Sequence, residues 1–546
     1  MPYIPLVVEG LMLPMVALAT LAGMAGQRGM LPEPIQATFG GWVWLLVVAA
    51  FVAKTRFTGT DRASQTAGMV SRADYEARVK EIEIVAQRPG PLRMKKATAS
   101  NTFRIQQIQS REMGDSNEAR LDLSSFCHVI EVNTAEGWCD LEGPTTFETF
   151  VAETAKHGWM PLVVPELKTI TVGGSIVGIG IESSSFRHGF VHEGLLEADI
   201  LVASGKVITV SATNEYADLF ATIPNSLGSF GYLLRLRMRI QPTKPLVEIN
   251  KVWHDTPEKF IDALAAACDK KCGHDFVDGV AISEQGGMVI TGDFVEKTKG
   301  GAAVSHYVYD QYYPTLTEEG TDYMEVTEYI WRWDADWFWV SQIFPLMGWK
   351  VVRYLTGAHY MRSDVYKVFN NIVMLLVAPL TTNQELVIQD IEVPCAKSAE
   401  WIRVHLECTK PETLGKIKLK SGSCSATPGK IGVPIWICPV IGTAAPLMPM
   451  KAGELYMNFG FWDACEGSWF RGTLDETRGG NETARINRKL EKMCKVYSAK
   501  KTLYSSIHMD EAEFRSEYNG EHYQKIKQKY DKTGRLRPLY DRLTRA

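Results

Sequence analysis

Two stretches near the start of the chain carry no charge. Gly10–Gly26 reads GLMLPMVALATLAGMAG, and Ile35–Ala53 reads IQATFGGWVWLLVVAAFVA. A spanning helix needs about 20 mainly apolar residues to cross about 30 Å of hydrocarbon, and the second run comes nearer to that length. Trp42 and Trp44 suit an interfacial aromatic belt, and Lys54 and Arg56 follow directly, so the positive-inside rule puts the bulk of the chain on the cytoplasmic face. Only Arg28 and Glu33 interrupt the link between the runs. One helix or a two-helix hairpin therefore fits residues 1–53 as a membrane anchor, with membrane lipid as a partner. A signal-peptide core is disfavoured because Glu9 stands where a basic leader is needed. A buried core helix is the alternative.

Further along, the pattern changes to short periodic elements. In VSRADYEARVKEIEIVAQR (70–88), Val79, Ile82 and Val85 recur at helical spacing among charges of alternating sign, which predicts a solvated amphipathic helix. From about 120 to 245, FCHVIEVN, GWCDLEG, ITVGGSIVGIGI, DILVASGKVITV and YLLRLRMRIQP read as strands, with one helix in TTFETFVAETAKHG. DILV and VITV flank ASGK as a hairpin. LRLRMRI alternates apolar and basic residues, which predicts a half-exposed edge strand. Pro242 and Pro245 predict a boundary.

Beyond it, aromatic residues concentrate in YIWRWDADWFWVSQIFPLMGW. Trp331, Trp333, Trp337, Phe338 and Trp339 form either a core or interface cluster, or the wall of a pocket for a bulky apolar ligand with Arg332, Asp334 and Asp336 as its polar groups, or a membrane-facing rim. The segment 471–546 reads as helical and ends in a basic run of Lys525, Lys527, Lys529, Lys532 and Arg535. Such a run predicts a solvated face, with attraction to anionic lipid as the lesser reading.

Charge removes one class of partner. Against 63 Asp+Glu stand 59 Lys+Arg, a net charge of -4, so nothing favours nucleic acid. Ten Cys spread over 546 residues fit free thiols in a reducing compartment.

Catalytic motifs mostly fail on inspection. Gly178-Ile-Gly180 begins a dinucleotide fingerprint but lacks the third glycine. His192-Glu193 begins a zinc-protease motif, yet Leu196 stands where the second His is needed, so no metal site is expected. Cys268 and Cys272 have neither the spacing nor the second half of a zinc or redox pair, and read as incidental cysteines on a helix. Asn481-Glu-Thr483 is a glycosylation sequon, on the wrong side of the membrane for the topology above.

TVGGSIVGIGIES (171–183) survives. Gly173, Gly174, Ser175, Gly178 and Gly180 among β-branched residues predict a strand-edge turn whose amide N–H groups can cradle an anion, neutralising a cofactor diphosphate without Lys or Arg. A plain tight bend is the alternative. A second Gly-spaced element, NSLGSFG from Asn225, places Gly228 and Gly231 before a strand.

PLVVPELKTITVGGSIVGIGIESSSFRHG (161–189) and ADLFATIPNSLGSFGYLLRLRMRIQPTKP (217–245) resemble the flavin-binding domain of the delta-24 sterol reductases, or Diminuto proteins. These flavoproteins have the vanillyl-alcohol oxidase, or p-cresol methylhydroxylase, fold. DGVAISEQGGMVITGDF, EYIWRWDADWFW, VIQDIEVP, VPIWICPV, LYMNFGFWD and KTLYSSIHMDEAEF extend the resemblance over nearly everything from about 90 to 546. It implies an α+β fold: a two-subdomain FAD-binding domain (54–245), an inserted α+β cap that binds substrate (246–470), and a C-terminal helical return (471–546), behind an N-terminal transmembrane helix.

The resemblance also implies noncovalent FAD with Thr171, Val172, Gly173, Gly174, Ser175, Ile176, Val177, Gly178, Ile179, Gly180, Ile181, Glu182 and Ser183 wrapping its diphosphate. Ser100, Asn101, Arg104 and Gly228 are further cofactor contacts. NADPH is the implied electron donor, a sterol the substrate, and the endoplasmic reticulum membrane the location. The implied reaction is reduction of an isolated C24=C25 double bond in sterol biosynthesis. Such an alkene is unactivated, so the protein must supply a positioned acid and aromatic faces that tolerate cationic character. Tyr504, His508, Asp390 and Glu392 are the candidate catalytic residues. Relatives carry Asp and Tyr where this chain has Ser506 and His508. A flavin-dependent isomerase or oxidase on the same scaffold, and a non-catalytic sterol-binding protein, remain open alternatives.

Overall fold

The computed structural model describes residues 67–96, 119–283, 286–307, 312–334, 384–408, 435–466 and 485–544. The anchor (1–53), Ser100, Asn101, Arg104, Asp336, Trp337, Phe338, Trp339 and the sequon at Asn481 lie outside the described residues. Among the described residues no helix is long and apolar enough to cross a membrane.

The first unit is built on an antiparallel sheet. Helix α1 (Arg72–Ala86) is N-capped by Ser71, which accepts from the Asp74 amide, and buries Tyr75, Ile82 and Ala86. Strands β1 (Leu92–Lys95) and β2 (Ala119–Asp122) form a parallel pair beside it. Next come β3 (Val129–Asn133), β4 (Trp138–Glu142), helix α2 (Phe147–Ala155, capped by Thr146) and β5 (Trp159–Pro161). Helix α3 (Val172–Gly178) precedes the hairpin β6 (Leu195–Val202) and β7 (Val207–Ser211), then β8 (Gly231–Pro242). The strand order is β3-β4-β8-β6-β7, with β5 paired to the end of β8.

β8 is therefore central, not the half-exposed edge that its alternation of apolar and basic residues predicts. Carboxylates on neighbouring strands explain how its arginines are accommodated. Arg235 donates to Asp199 at 2.8 Å, Glu197 at 2.5 Å and Asp140 at 3.2 Å, while Arg237 holds Asp140 at 2.9 Å and lies over the Trp138 ring. Arg72 reaches the same Asp140, and Tyr75 donates to Asp199 at 2.8 Å, so α1 is fastened through this network rather than merely solvated. A buried charge is tolerated when its partners are fixed around it.

The second unit is an eight-stranded sheet. β9 (Leu246–His254) starts four residues after β8 ends. It is followed by helix α4 (Pro257–Ala267), whose Thr256 cap and Pro257 at the first turn are ordinary helix-start chemistry. β10 (Phe276–Ser283), β11 (Gly286–Val295), β12 (Gly320–Glu325), β13 (Gln384–Pro394), helix α5 (Cys395–Cys408), β14 (Ile435–Ile441) and β15 (Leu455–Glu466) complete it. Helix α6 (Arg485–Tyr497) leads into β16 (Lys500–Lys501), and the order is β12-β9-β11-β10-β14-β15-β13-β16. Cys268 caps α4 and Cys272 lies in the turn beyond, so these thiols do not share a helix; both are free.

One face of this sheet packs with α4, α5 and α6 through Phe260, Trp401, Phe459, Phe461 and Met493. The other face, with Val280, Met288, Trp436 and Cys438, shares a core with the first unit. The chain's end returns to the first unit through helix α7 (Gly520–Tyr530). Its basic run is not a uniformly solvated face: Lys527 is buried and donates to the Ser229 and Leu536 carbonyls at 2.7 Å each, with Asp531 at 2.7 Å. Arg535 donates to the carbonyls of Ala86, Arg88, Gly90 and Ala203. Helix-end and turn carbonyls that sheet pairing leaves open recruit these two cations.

Candidate functional site

The glycine-rich run begins as a helix rather than a strand. Thr171 caps α3, accepting from the Gly174 amide at 3.3 Å, and its own backbone bridges Thr146. Gly173 meets Gly143 so closely that a Cβ would stand 2.8 Å from the Gly143 carbonyl, and a Cβ on Gly180 would stand 2.8 Å from Val191 and 2.9 Å from Ser175. These glycines are required by tertiary neighbours, which local periodicity does not contain. α3 ends at Ile179, buried and left-handed at φ 63°. That conformation is strained for a β-branched residue, and such strain concentrates at functional sites.

The expected nest of free amides is corrected as well. The amides of Val172 and Gly173 donate to the Thr145 and Gly143 carbonyls, and those of Gly174 and Ser175 return to Thr171. A cation stands there instead: Lys96 Nζ lies 3.3 Å from Thr171 Oγ1. Its half-buried amine has its pKa pulled down to about 8 by burial. Sequence reasoning missed Lys96 because 75 residues separate the pair.

Against α3 lies the second glycine element. The Leu227 amide donates to the Val177 carbonyl at 3.0 Å, and Asn225, Leu227 and Gly228 all take positive φ. Asn225 donates to the Leu447 carbonyl at 2.7 Å and accepts the Leu503 amide at 3.3 Å. Through that strap the Tyr504 side chain reaches Gly178, where a Cβ would be 3.8 Å from the Tyr504 Cβ.

Two of the predicted catalytic residues meet at this point. The Tyr504 hydroxyl is sealed from solvent and stands within electrostatic reach of the Asp390 carboxylate. Burial raises Asp390 to about 6, against the lowering pull of Tyr504 and Asn458. Burial and the charge of Asp390 push Tyr504 well above the ordinary phenol range. Glu392 lies two residues along β13 on the same face, fully buried, and is likewise pushed well above the carboxylate range.

His508 answers to other groups. Its amide donates to Glu491 at 3.0 Å, and burial together with Lys501 and Arg488 lowers its pKa to about 3. A neutral imidazole is a poor proton source at ordinary pH, so the structure removes His508 as an imidazolium acid.

A third cluster closes the end of the glycine run. Arg332 Nη2 donates to Glu182 at 3.0 Å and to Asp278 on β10 at 2.7 Å, and Trp436 Nε1 donates to Asp278 at 3.1 Å. Arg332 lies over the Tyr329 ring at 4.2 Å. It thus ties the glycine run to the second sheet instead of lining a pocket as a lone polar group. Asp334 is likewise engaged, accepting the Lys168 amide at 3.0 Å. Trp333 is buried edge-on against Tyr312, as in the core reading. Glu166, absent from the candidates above, is buried here and pushed well up by burial and by Glu182.

The residues fit a flavin. Glu166 Oε1, Glu182 Oε2, Asp278 Oδ1 and Arg332 Nε are buried without hydrogen-bond partners among the described residues. A ring edge that alternates acceptors and a donor suits such a mixed set.

Comparison with known proteins agrees. Residues 109–211 match the FAD binding domain model. Delta(24)-sterol reductases from Macaca fascicularis and Homo sapiens are each 26% identical over 439 residues, covering 77% of this chain and 76% of theirs. The enzyme of that name from Arabidopsis thaliana is 23% identical over 463 residues, 77% of this chain and 75% of its own.

Proposed function

We propose that this FAD-dependent oxidoreductase, similar to the delta(24)-sterol reductases, reduces the C24=C25 double bond of a sterol side chain, with NADPH as electron donor. The observation that carries this reading is the buried juxtaposition of Tyr504 and Asp390, sealed from solvent and set against Gly178 in the flavin-binding run.

FAD, once bound and reduced by NADPH, would supply a hydride equivalent to one alkene carbon. The chain's own task is to deliver a proton to the other and to keep water away. Asp390 is poised for it: below about pH 6 it is a buried carboxylic acid beside Tyr504. Above that pH the remaining acid is Tyr504, whose raised pKa makes it a weaker donor. Reduction is therefore fastest with Asp390 protonated. Thr171–Ser183 and the loop at Gly228 would hold the cofactor, Lys96 would offset diphosphate charge, and Arg332 keeps Glu182 in register with β10. Trp436 and Tyr504 would give apolar ring surface to a bound side chain.

The uncharged run 35–53 supports attachment to the endoplasmic reticulum membrane with the catalytic units facing the cytoplasm. A sterol partitions into that same lipid.

The test is incubation of the purified holo-protein with desmosterol and NADPH, with product analysis by mass spectrometry. A product two mass units heavier supports the reading. A product of unchanged mass with a moved double bond assigns isomerase chemistry instead, and no turnover by FAD-loaded protein overturns the reductase reading.

A further inference from the structure

The inner face of the second sheet carries more polar groups than reduction of a hydrocarbon double bond uses. Strand registers pair Gly279 with Ile437, Cys438 with Asn458, and Asn458 with Glu392. Because side chains alternate along a strand, Asp278, Cys438, Asn458 and Glu392 fall in one row across β10, β14, β15 and β13, facing the flavin-binding unit. Asp390 and Gly460 occupy the adjacent row, and Tyr504 stands beside Asp390 there.

The two ends of the row differ. At one end Asp278 is engaged by Arg332 and Trp436. At the other, Glu392 and Asn458 are each 0% exposed, and both carboxyl oxygens of Glu392 and Oδ1 of Asn458 have no hydrogen-bond partner among the described residues. The Asn458 amide donates weakly to Asp390 at 3.5 Å.

Burial pushes the Glu392 carboxyl well above the carboxylate range and so favours its neutral form. A neutral carboxyl offers one donor and acceptor capacity, and the Asn458 oxygen adds another acceptor. A saturated or olefinic hydrocarbon satisfies none of these, and binding one would seal them off unpaired. A group that matches a donor beside acceptors is an alcohol.

We propose that Glu392 and Asn458 form a subsite for a hydroxyl group on the substrate's side chain, beside the double bond held at Tyr504 and Asp390. The substrate class is an alkenyl sterol or isoprenoid side chain that also carries an alcohol. This rests on the reading of Tyr504 and Asp390 as the reducing centre. It also moves Glu392 from candidate acid to specificity residue.

The experiment compares desmosterol with 26-hydroxydesmosterol on the FAD-loaded full chain. Binding is followed by perturbation of flavin absorption, and turnover by mass spectrometry. The hydroxylated sterol is expected to show kcat/KM at least about tenfold higher, since a site built around a hydroxyl penalises its absence. Glu392→Leu and Asn458→Leu should each bring that ratio to about one. Glu392→Gln, which keeps a donor and an acceptor, should retain most of the preference. A wild-type ratio of one or below overturns the subsite. So does Glu392→Leu lowering kcat on both sterols with the ratio intact, which marks Glu392 as the acid, or weakening FAD itself, which marks the flavin edge as its partner. If a leucine variant fails to fold, the wild-type ratio and the glutamine variant decide. Preferential binding of the hydroxylated sterol without reduction of either would sink the reductase reading while the subsite stood.

Discussion

Two sheets in this molecule bury charged residues, and they treat them differently. In the first, Arg235 on the central strand β8 is enclosed by Asp199, Glu197 and Asp140, and Arg237 and Arg72 complete the set. In the second, Asp390 stands beside Tyr504, but Glu392, Asn458 and Asp278 keep open atoms among the described residues, as do Glu182, Arg332 and Glu166 where the glycine run meets that sheet. A buried ion whose partners all come from the chain holds the architecture together. Buried polar atoms that the chain leaves open are oriented for something that arrives later.

Breaking each side should give different signatures. The largest effect is expected at Asp390→Asn, which removes the ionisable partner of Tyr504: turnover should fall about 100-fold or more, the usual scale for a lost general acid. The same variant should be more stable than wild type at pH 8. Asp390 titrates at about 6 when folded against 3.8 in a model peptide, so the folded state binds more protons between those values and stability is lost as pH rises through that window. Relief of that loss is on the order of 3 kcal/mol above pH 6. Thermal melts of both proteins at pH 4 and pH 8 check it, and equal differences at the two pH values would contradict it.

On the other side of the comparison, Arg235→Met leaves several buried carboxylates without their cation. It should cost about 3–5 kcal/mol in urea unfolding, with no special effect on substrate preference in whatever protein remains folded.

The contrast also marks how much was legible in the chain. The hairpin at Gly205, the capped helix at Phe147 and the importance of 171–183 follow from local signals: a turn between alternating runs, Thr146 ahead of an apolar face, glycines clustered among β-branched residues. Nothing local shows that β8 is central, because Asp140 and Asp199 lie 95 and 36 residues away from Arg235. Nor does any motif join Arg332 to Glu182 across 150 residues. The helix at Val172 was hidden for the same reason, since the partner that demands Gly173 is Gly143.

Smaller effects sharpen the cofactor side. Lys96→Met should weaken FAD about tenfold while leaving riboflavin binding unchanged, because a charge-assisted contact to phosphate is what it removes. Fluorescence titration with both flavins reads this, and parallel losses would place Lys96 outside the diphosphate site. His508→Gln should change turnover less than about threefold, since a histidine that titrates at about 3 is neutral through the working range.

The central claim is that the Tyr504–Asp390 pair holds the proton for the double bond. Its most direct test is a single turnover: holo-protein reduced beforehand, mixed with desmosterol, and followed through return of the oxidised-flavin absorption from pH 5 to pH 8. The account predicts a rate that falls as pH rises through about 6, the value at which buried Asp390 loses its proton, and a slow rate without that inflection in Asp390→Asn. A variant as fast as wild type, with the same pH profile, would contradict it.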